Sequence, residues 1–303
     1  MVLLFVIAWI NLCRIAPLYA TGAFSLVDFG TSAQMIGTGH IIGFSSGASS
    51  IFENPASLSM LSRPSLSSFY VSIMDNEARF YNIALAYPLA IGTLGVGIMV
   101  VSVTGIDTTE IDSGTNWYVS SGQIDYTNGL VKLAYGWPLL PSWKAGLTYT
   151  YMFSYLGTTQ SVASNADIGL MGSIHPLDIS FVIRNCISSP MRFNSTQKET
   201  VDATYILGAR LPISDLNIMA QASSTPEGSI LKSIGTQYHP SYLNDLLSLG
   251  AGCREVLSEQ DVKFVYSVGI GVNLKSLRCH FAYEKSDYLP QDNNYYFSVD
   301  MGF

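Results

Sequence analysis

The last nine residues of the chain alternate strictly between apolar and polar side chains. One set of positions holds Tyr295, Phe297, Val299, Met301 and Phe303, and the other holds Tyr296, Ser298, Asp300 and Gly302. Successive side chains of a β-strand point to opposite faces, so this pattern predicts a strand with one apolar and one polar face. The same period recurs along most of the chain.

About fourteen such segments can be distinguished, each near the length that a tilted strand needs to cross a bilayer. They begin near residues 66, 79, 92, 127, 144, 165, 177, 201, 215, 229, 246, 264, 275 and 294. Their polar faces carry mostly Gly, Ser, Thr and Ala, whereas a soluble β-sandwich would present Lys and Glu to water. In hydrocarbon a sheet must close to pair its backbone groups. We therefore predict an all-β fold, a transmembrane antiparallel β-barrel of about 14 strands.

The links between the segments alternate in length. Links after even-numbered segments are short, such as "PLAIG" and "PLLPS", and links after odd-numbered segments are longer and polar, such as "LGTTQSVASNA". Outer-membrane barrels have short periplasmic turns and long outer loops, so both ends of this barrel are expected on the periplasmic side. Residues 83–106 are uncharged and long enough for a membrane helix, but Pro88 and Gly92 place a turn in their middle.

The N-terminal residues predict export. "MVLLFVIAWINL" is too short an apolar run to span a bilayer as a helix, and "APLYA" follows it. Residues 1–20 therefore resemble a signal peptide that is cleaved after Ala20. Together with the barrel, this segment predicts the bacterial outer membrane as the location and outer-membrane lipid as a partner.

Composition and charge exclude several classes of function. Hydrophobic residues make up 48% of the chain and charged residues 12%, about half the usual charged share. The net charge of −7 argues against a nucleic-acid partner. Cys186, Cys253 and Cys279 show no CxxC spacing and no nearby His cluster, so we expect no metal and no cofactor, although one disulfide is possible.

The polar faces hold the ionisable residues that would line the lumen. They are Lys132, Asp167, Arg184, Arg210, Arg254, Arg278, His280, Glu284 and Asp300. Arg278 on the thirteenth strand could pair with Asp300 on the fourteenth. These residues form either a selectivity lining that contacts a ligand, or a salt-bridged network that holds a filled barrel together. We favour the second interpretation, because buried charges are usually paired.

One catalytic motif occurs by its letters alone. "GFSSG" at residues 43–47 matches the G-x-S-x-G nucleophile elbow. That elbow needs a core strand before it and a helix after it, and this Gly- and Ser-rich stretch supplies neither. We therefore predict no enzyme and no catalytic residues.

The stretch before the first strand carries a family resemblance. "SSGASSIFENPASLSMLSRPSLSSFYVSI" resembles the N-terminal part of the FadL-like outer-membrane barrels, where an Asn-Pro-Ala motif precedes the first strand. The likeness is closer to the PorV/PorQ (UPF0164) branch, which "GTSAQMIGTGHIIGF" and the last hairpin also resemble. It implies a fourteen-stranded barrel over residues 63–303 and an inward-folding plug over residues 21–62. Asn54, Pro55 and Ala56 would then belong to the plug or gate.

FadL itself is longer and has a larger plug, so its ligand pocket cannot be transferred residue by residue. The resemblance implies a FadL/PorV-type channel or transporter for small hydrophobic molecules. Two alternatives stay open. One is a non-conducting platform for secretion-system proteins, and the other is a sealed structural barrel.

Overall fold

The computed structural model describes residues 26–73, 78–111, 114, 117–192, 198–199, 201–224, 228–258, 261–285 and 293–303. The expected signal peptide at residues 1–20 lies outside the described residues. Within the described part of the chain, no helix is both long and apolar enough to cross a membrane.

Antiparallel strands make up most of the described chain. They are β1 (Ser65–Ile73), β2 (Ala78–Leu89), β3 (Gly92–Ile111), β4 (Tyr118–Leu140), β5 (Trp143–Leu156), β6 (Thr159–Ile174), β7 (Leu177–Ser188), β8 (Met191–Arg192), β9 (Lys198–Glu199), β10 (Thr204–Ile213), β11 (Leu216–Ser224), β12 (Ile230–Tyr238), β13 (Leu247–Ser258), β14 (Asp261–Leu274), β15 (Leu277–Lys285) and β16 (Asn293–Gly302). All except β8 and β9, which pair with each other, close into one fourteen-stranded barrel. The predicted fold class is confirmed.

The barrel closes where its first strand meets its last. Ser65 of β1 lies opposite Gly302 of β16, and Val71 lies opposite Tyr296. Elsewhere in the barrel each strand pairs with its neighbour in the chain, except that β7 pairs with β10 across the β8–β9 hairpin. Neither β1 nor β16 is therefore left as an open edge.

The two faces of the strands follow the phase that the sequence predicts. On β16 the outward Tyr295 and Phe297 are 60% and 48% exposed, and Phe303 just after it is 61% exposed, whereas the inward Ser298 and Asp300 are 2% and 4% exposed. On β16 the apolar set thus forms the outer face and the polar set lines the lumen. The first strands depart from this rule, because Phe69 of β1 and Phe80 of β2 are buried inside the barrel.

The strands extend beyond the predicted limits at the end where the long loops were expected. β4 begins at Tyr118 rather than near residue 127, and β6 begins at Thr159 inside the predicted loop "LGTTQSVASNA". In the β3–β4 hairpin, residues 106–111 pair with residues 118–124 beyond the last pairings of β2 and β5. The polar residues there mark exposure to water, and the strand continues because the hairpin partner still bonds its backbone.

At the opposite end of the barrel, which we call the short-turn end, most links have two residues. The link at 239–246 is longer and contains a 3₁₀ turn, Ser241–Leu243. Asp215 holds this link in place, since its carboxylate accepts the Ser241 N–H at 2.9 Å. That hydrogen bond lowers the pKa of Asp215.

Residues 26–62, which we call the lumenal segment, lie inside the barrel. They contain the short helix α1 (Ala33–Gly37) and 3₁₀ turns at Leu26–Phe29, Ala48–Phe52 and Pro55–Met60. Ser32 caps α1, because its hydroxyl accepts the Met35 N–H at 3.2 Å. The hydrophobic core sits within the barrel and joins the apolar side chains of the segment to the wall. It includes Leu26, Ile36, Ile51, Phe52 and Leu58 of the segment and Phe69, Phe80 and Met99 of the wall.

The outward face of β14 allows a test of its contact with lipid, because a charge placed there lowers the free energy of unfolding. Val268 lies midway along β14 and Val262 near its loop end, and the two side chains are 53% and 50% exposed. We expect Val268→Arg to lower the free energy of unfolding by about 2–4 kcal/mol and the matched Val262→Arg by about 0–1 kcal/mol. Urea titration in lipid vesicles measures both values. Equal costs at the two positions would contradict a lipid-facing β14.

Candidate functional site in the barrel lumen

One side of the lumen receives the lumenal segment through glycines. Residues 37–39 pack closely against four inward glycines of β12, β13 and β14, and the Gly39 N–H also donates to Ser267 Oγ of β14 at 3.1 Å. We call this set the first glycine socket; it comprises Gly235, Gly250, Gly252 and Gly269. A Cβ on Gly252 would lie 2.2 Å from the Gly39 nitrogen, and one on Gly235 would lie 2.1 Å from the Thr38 oxygen. Only glycine allows the two backbones to approach this closely.

A second glycine socket lies across the lumen on β4, β5 and β6. It consists of Gly136, Gly146 and Gly169, and it receives the start of the 3₁₀ turn Pro55–Met60 of the lumenal segment. A Cβ on Gly146 would lie 2.3 Å from the Pro55 carbonyl carbon, and one on Gly169 would lie 2.1 Å from Asn54 Oδ1. The lumenal segment therefore spans the barrel between two surfaces that lack side chains.

The Asn-Pro-Ala motif makes the polar contacts at the second socket. Asn54 Nδ2 donates to Ser180 Oγ at 2.9 Å and to the Leu170 carbonyl at 3.3 Å, and its Oδ1 accepts the Ala56 N–H at 3.0 Å. Asn54 thereby caps the 3₁₀ turn in which Pro55 is the first residue. Asn54, Pro55 and Ala56 are all fully enclosed. They anchor the lumenal segment to the wall, and their role as a gate stays a prediction.

Glu53 is a buried carboxylate that the sequence interpretation did not select. It accepts hydrogen bonds from Thr31 Oγ1 at 2.6 Å, Ser45 Oγ at 2.5 Å and the Gly43 N–H at 3.5 Å. Thr31 precedes α1, whereas Gly43 and Ser45 follow it, so one carboxylate joins two loops of the lumenal segment. Ser45 belongs to the "GFSSG" match and is occupied by this contact. The signal for Glu53 was its place as an acidic residue beside the motif in a stretch of Gly and Ser.

Two of the predicted lumen residues form an ion pair on the wall. Lys132 Nζ of β4 donates to Asp167 Oδ2 of β6 at 2.5 Å, across the intervening strand β5. Asp167 Oδ1 also accepts the Asn185 N–H at 2.8 Å. Asn185 has a left-handed backbone with φ of 54°, at the point where the β6–β7 register shifts. Pairing and burial favour the structural interpretation for Lys132 and Asp167.

Glu284 collects a second group of partners. It accepts hydrogen bonds from Arg254 Nη2 at 3.3 Å and from the Tyr296 hydroxyl at 3.2 Å, and His40 Nε2 lies 2.9 Å from its Oε2. His40 belongs to the lumenal segment, whereas the other partners lie on the wall strands β13 and β16. Glu284 therefore joins the segment to the wall, which the sequence could not show.

Arg210 contacts the lumenal segment near the short-turn end. Its guanidinium donates to Asp178 Oδ2 at 2.7 Å and lies 5.0 Å from the centre of the Phe44 ring. The ion pair fixes the guanidinium, and the cation–π contact holds the loop that carries Phe44.

The predicted pairing of Arg278 with Asp300 needs correction. The two residues lie directly opposite in the β15–β16 register. Arg278, however, donates to the side chain and the carbonyl of Ser46, while Asp300 accepts a hydrogen bond from Ser67. The lumenal segment brings the two Ser46 acceptors against β15, so Arg278 bonds to the segment rather than across the strands.

The remaining predicted residues occupy different places. Arg184 lies on β7 opposite Thr204 of β10. His280 is 5% exposed and lines a cavity of about 10 Å³ with Gln34, Thr38 and Ser248, the room that one water molecule needs. The predicted lumen residues therefore do not converge on one catalytic centre.

No group of three or more His, Cys, Asp or Glu side chains in the described ranges could hold a metal ion. Cys186, Cys253 and Cys279 are free thiols of intermediate burial.

The fold resembles that of solved hydrocarbon channels. The toluene transporter TodX of Pseudomonas putida aligns with a TM-score of 0.67 at 11% identity, and the alignment covers 95% of this chain and 100% of the TodX chain. The toluene transporter TbuX of Ralstonia pickettii aligns with a TM-score of 0.61 at 12% identity, covering 90% and 98%. No protein-family model matches the sequence, and no curated protein does either.

At this level of identity the likeness shows the fold. These two neighbours are toluene transporters, and membership of a FadL-like superfamily stays a prediction for this chain. The narrower PorV/PorQ branch stays a prediction.

The first glycine socket predicts a steric effect. We expect Gly252→Ala to cost about 1–3 kcal/mol of unfolding free energy and to loosen the lumenal segment, since its Cβ would overlap the Gly39 backbone. Hydrogen exchange of residues 33–60 would accelerate. Gly302→Ala is the matched control, because the nearest atom to its added Cβ, the Pro64 oxygen, is 3.9 Å away. Equal exchange in both variants would contradict the socket.

Proposed function

We propose that the chain is an outer-membrane channel for small hydrophobic molecules and that the lumenal segment is its gate. The observation that carries the proposal is a closed barrel whose lumen is filled by the lumenal segment, which contacts the wall only through packing and hydrogen bonds. The fold-level likeness to two toluene transporters supports it.

The contacts of the lumenal segment suit a part that moves. At the socket glycines the wall presents no side chain to the segment, and the hydroxyls of Ser267 and Ser180 supply single hydrogen bonds beside them. Its polar attachments are separate hydrogen bonds, worth about 0.5–1.5 kcal/mol net between neutral groups and about 1.5–3 kcal/mol where Arg278 or Glu284 takes part. A few such bonds can be exchanged for bonds to water when the segment shifts.

Asn54 is the attachment at which the gate would open. Its side chain bonds both the wall, through Ser180 and Leu170, and the following turn, through Ala56. Loss of these bonds releases residues 54–56 from β6 and β7 while the first glycine socket keeps residues 37–39 in place. The released part of the segment would then pivot about residues 37–39, which stay in the first glycine socket.

A flux measurement tests the channel and the gate together. We expect the intact chain to speed toluene uptake into vesicles with lipopolysaccharide outer leaflets, relative to protein-free vesicles. Asn54→Ala should raise this rate several-fold, because it removes the three bonds of the amide. Ser59→Ala is the matched control in the same segment, since Ser59 Oγ donates only to the nearby Ala56 carbonyl.

The outcomes separate the two parts of the proposal. Uptake at the protein-free rate with all three proteins would contradict a channel and favour the sealed barrel. Uptake by the intact chain that Asn54→Ala leaves unchanged would contradict the gate alone.

A further inference from the structure

The lumen wall on the loop side of the second glycine socket carries buried polar atoms that have no partner in the protein. Thr148 and Thr150 follow each other on the inward face of β5, and Asn165 of β6 lies opposite Thr150. Thr148, Thr150 and Asn165 are 3%, 1% and 7% exposed. Thr148 Oγ1, Thr150 Oγ1 and Asn165 Oδ1 have no hydrogen-bond partner in the protein. Asn165 is paired through its Nδ2 alone, which donates to Asn185 Oδ1 at 2.6 Å and to Met152 Sδ at 3.4 Å.

A second polar row lies further toward the loop end. Asn128 of β4 and Ser161 of β6 flank Ser154 of β5 in the register. Asn128 Oδ1 and Ser161 Oγ are also buried without a partner. We call these five residues, Asn128, Thr148, Thr150, Ser161 and Asn165, the hydroxyl–amide wall.

An apolar row separates the two polar ones. Leu130, Met152 and Ala163 lie side by side on β4, β5 and β6, each two residues along its strand from the polar rows. Two residues of a strand span about 7 Å, close to the size of a benzene ring with a substituent. All three belong to the hydrophobic core that the lumenal segment shares with the wall, so they become available to an apolar body when the segment shifts. The wall thus alternates hydrogen-bonding groups with an apolar row.

The nearby charges cancel. Lys132 lies opposite Thr150, and Asp167 lies opposite Thr148. The two charges bond each other at 2.5 Å, so the wall offers no unpaired cation to an anionic head group. A neutral hydrogen-bonding group is the chemistry that fits this surface.

A buried polar group left without a partner costs about 1–3 kcal/mol. A hydrocarbon passing the wall would leave all five atoms unpaired, whereas a hydroxyl can donate to one of them and accept from another. The wall therefore distinguishes hydroxyl-bearing molecules from hydrocarbons by hydrogen bonding rather than by their size, as sites built to bind a hydroxyl do.

We propose that the hydroxyl–amide wall is a binding site for small neutral molecules that carry an apolar body and a hydroxyl group, and that it favours them over pure hydrocarbons. This inference rests on the proposed channel and names its substrate class. Thr148 and Thr150 are the specificity-determining residues, because they are consecutive inward residues of β5 next to Met152 and neither hydroxyl has a partner in the protein.

Equilibrium binding tests this preference independently of flux. Phenol and toluene are matched probes, since phenol carries a hydroxyl group where toluene carries a methyl group on the same ring. Titration calorimetry of the intact, detergent-solubilised chain should show phenol binding more tightly than toluene. The Thr148→Val/Thr150→Val variant should weaken phenol binding about five- to tenfold and leave toluene binding unchanged, the effect of a lost hydrogen bond.

The control keeps the hydroxyls. Thr148→Ser/Thr150→Ser should bind phenol as the intact chain does. The valine variant should fold, because valine has the shape of threonine and its change removes only unpaired hydroxyls.

Two outcomes would overturn the inference. The first is toluene binding as tightly as phenol in the intact chain. The second is a valine variant that keeps the full phenol preference, as expected if the wall binds only water. In either case toluene uptake by the vesicles would leave the channel itself standing. Failure of the channel would appear separately, as uptake no faster than in protein-free vesicles.

Discussion

Backbone amides and carbonyls inside a bilayer have no water to bond, so each must find its partner within the protein. This constraint explains why β1 returns to β16 and why the sheet closes. Closure then sets the two environments that the side chains meet. Apolar residues such as Phe297 face lipid, and the polar residues between them face one another across a lumen. An enclosed polar surface must be solvated, paired or covered, and here the lumenal segment covers much of it.

The way in which the lumen is covered follows from glycine. An inward glycine contributes no side chain to the wall and weakens its strand, so it is retained where another backbone approaches. The first and second glycine sockets meet this condition on opposite sides of the barrel. Between them Glu53 joins the turns of the lumenal segment, and Glu284 and Arg278 attach it to the wall. The segment is therefore held firmly in a defined place by contacts that are individually weak.

The sequence predicted those features that depend on local periodicity. The alternation from Tyr295 to Phe303 predicts the phase of β16, because the side-chain period of a strand needs no knowledge of its partner. Contacts between distant residues could not be predicted in this way. Arg278 bonds Ser46, which is 232 positions away, although Asp300 lies opposite it. The start of β4 at Tyr118 was also missed, because its polar residues resemble a loop until the hairpin partner is known.

The closure of the sheet is tested most directly by cross-linking β1 to β16 in a lipid bilayer. Cysteines at Ser68 and Val299, which lie opposite each other on the outward face, would be introduced into a chain whose native cysteines are replaced by alanine. We expect a disulfide to form rapidly between them, and slowly or not at all between cysteines at Ser68 and Met301, which are two residues out of register. Equal yields for the two pairs, or no cross-link in either, would contradict a barrel closed by these strands.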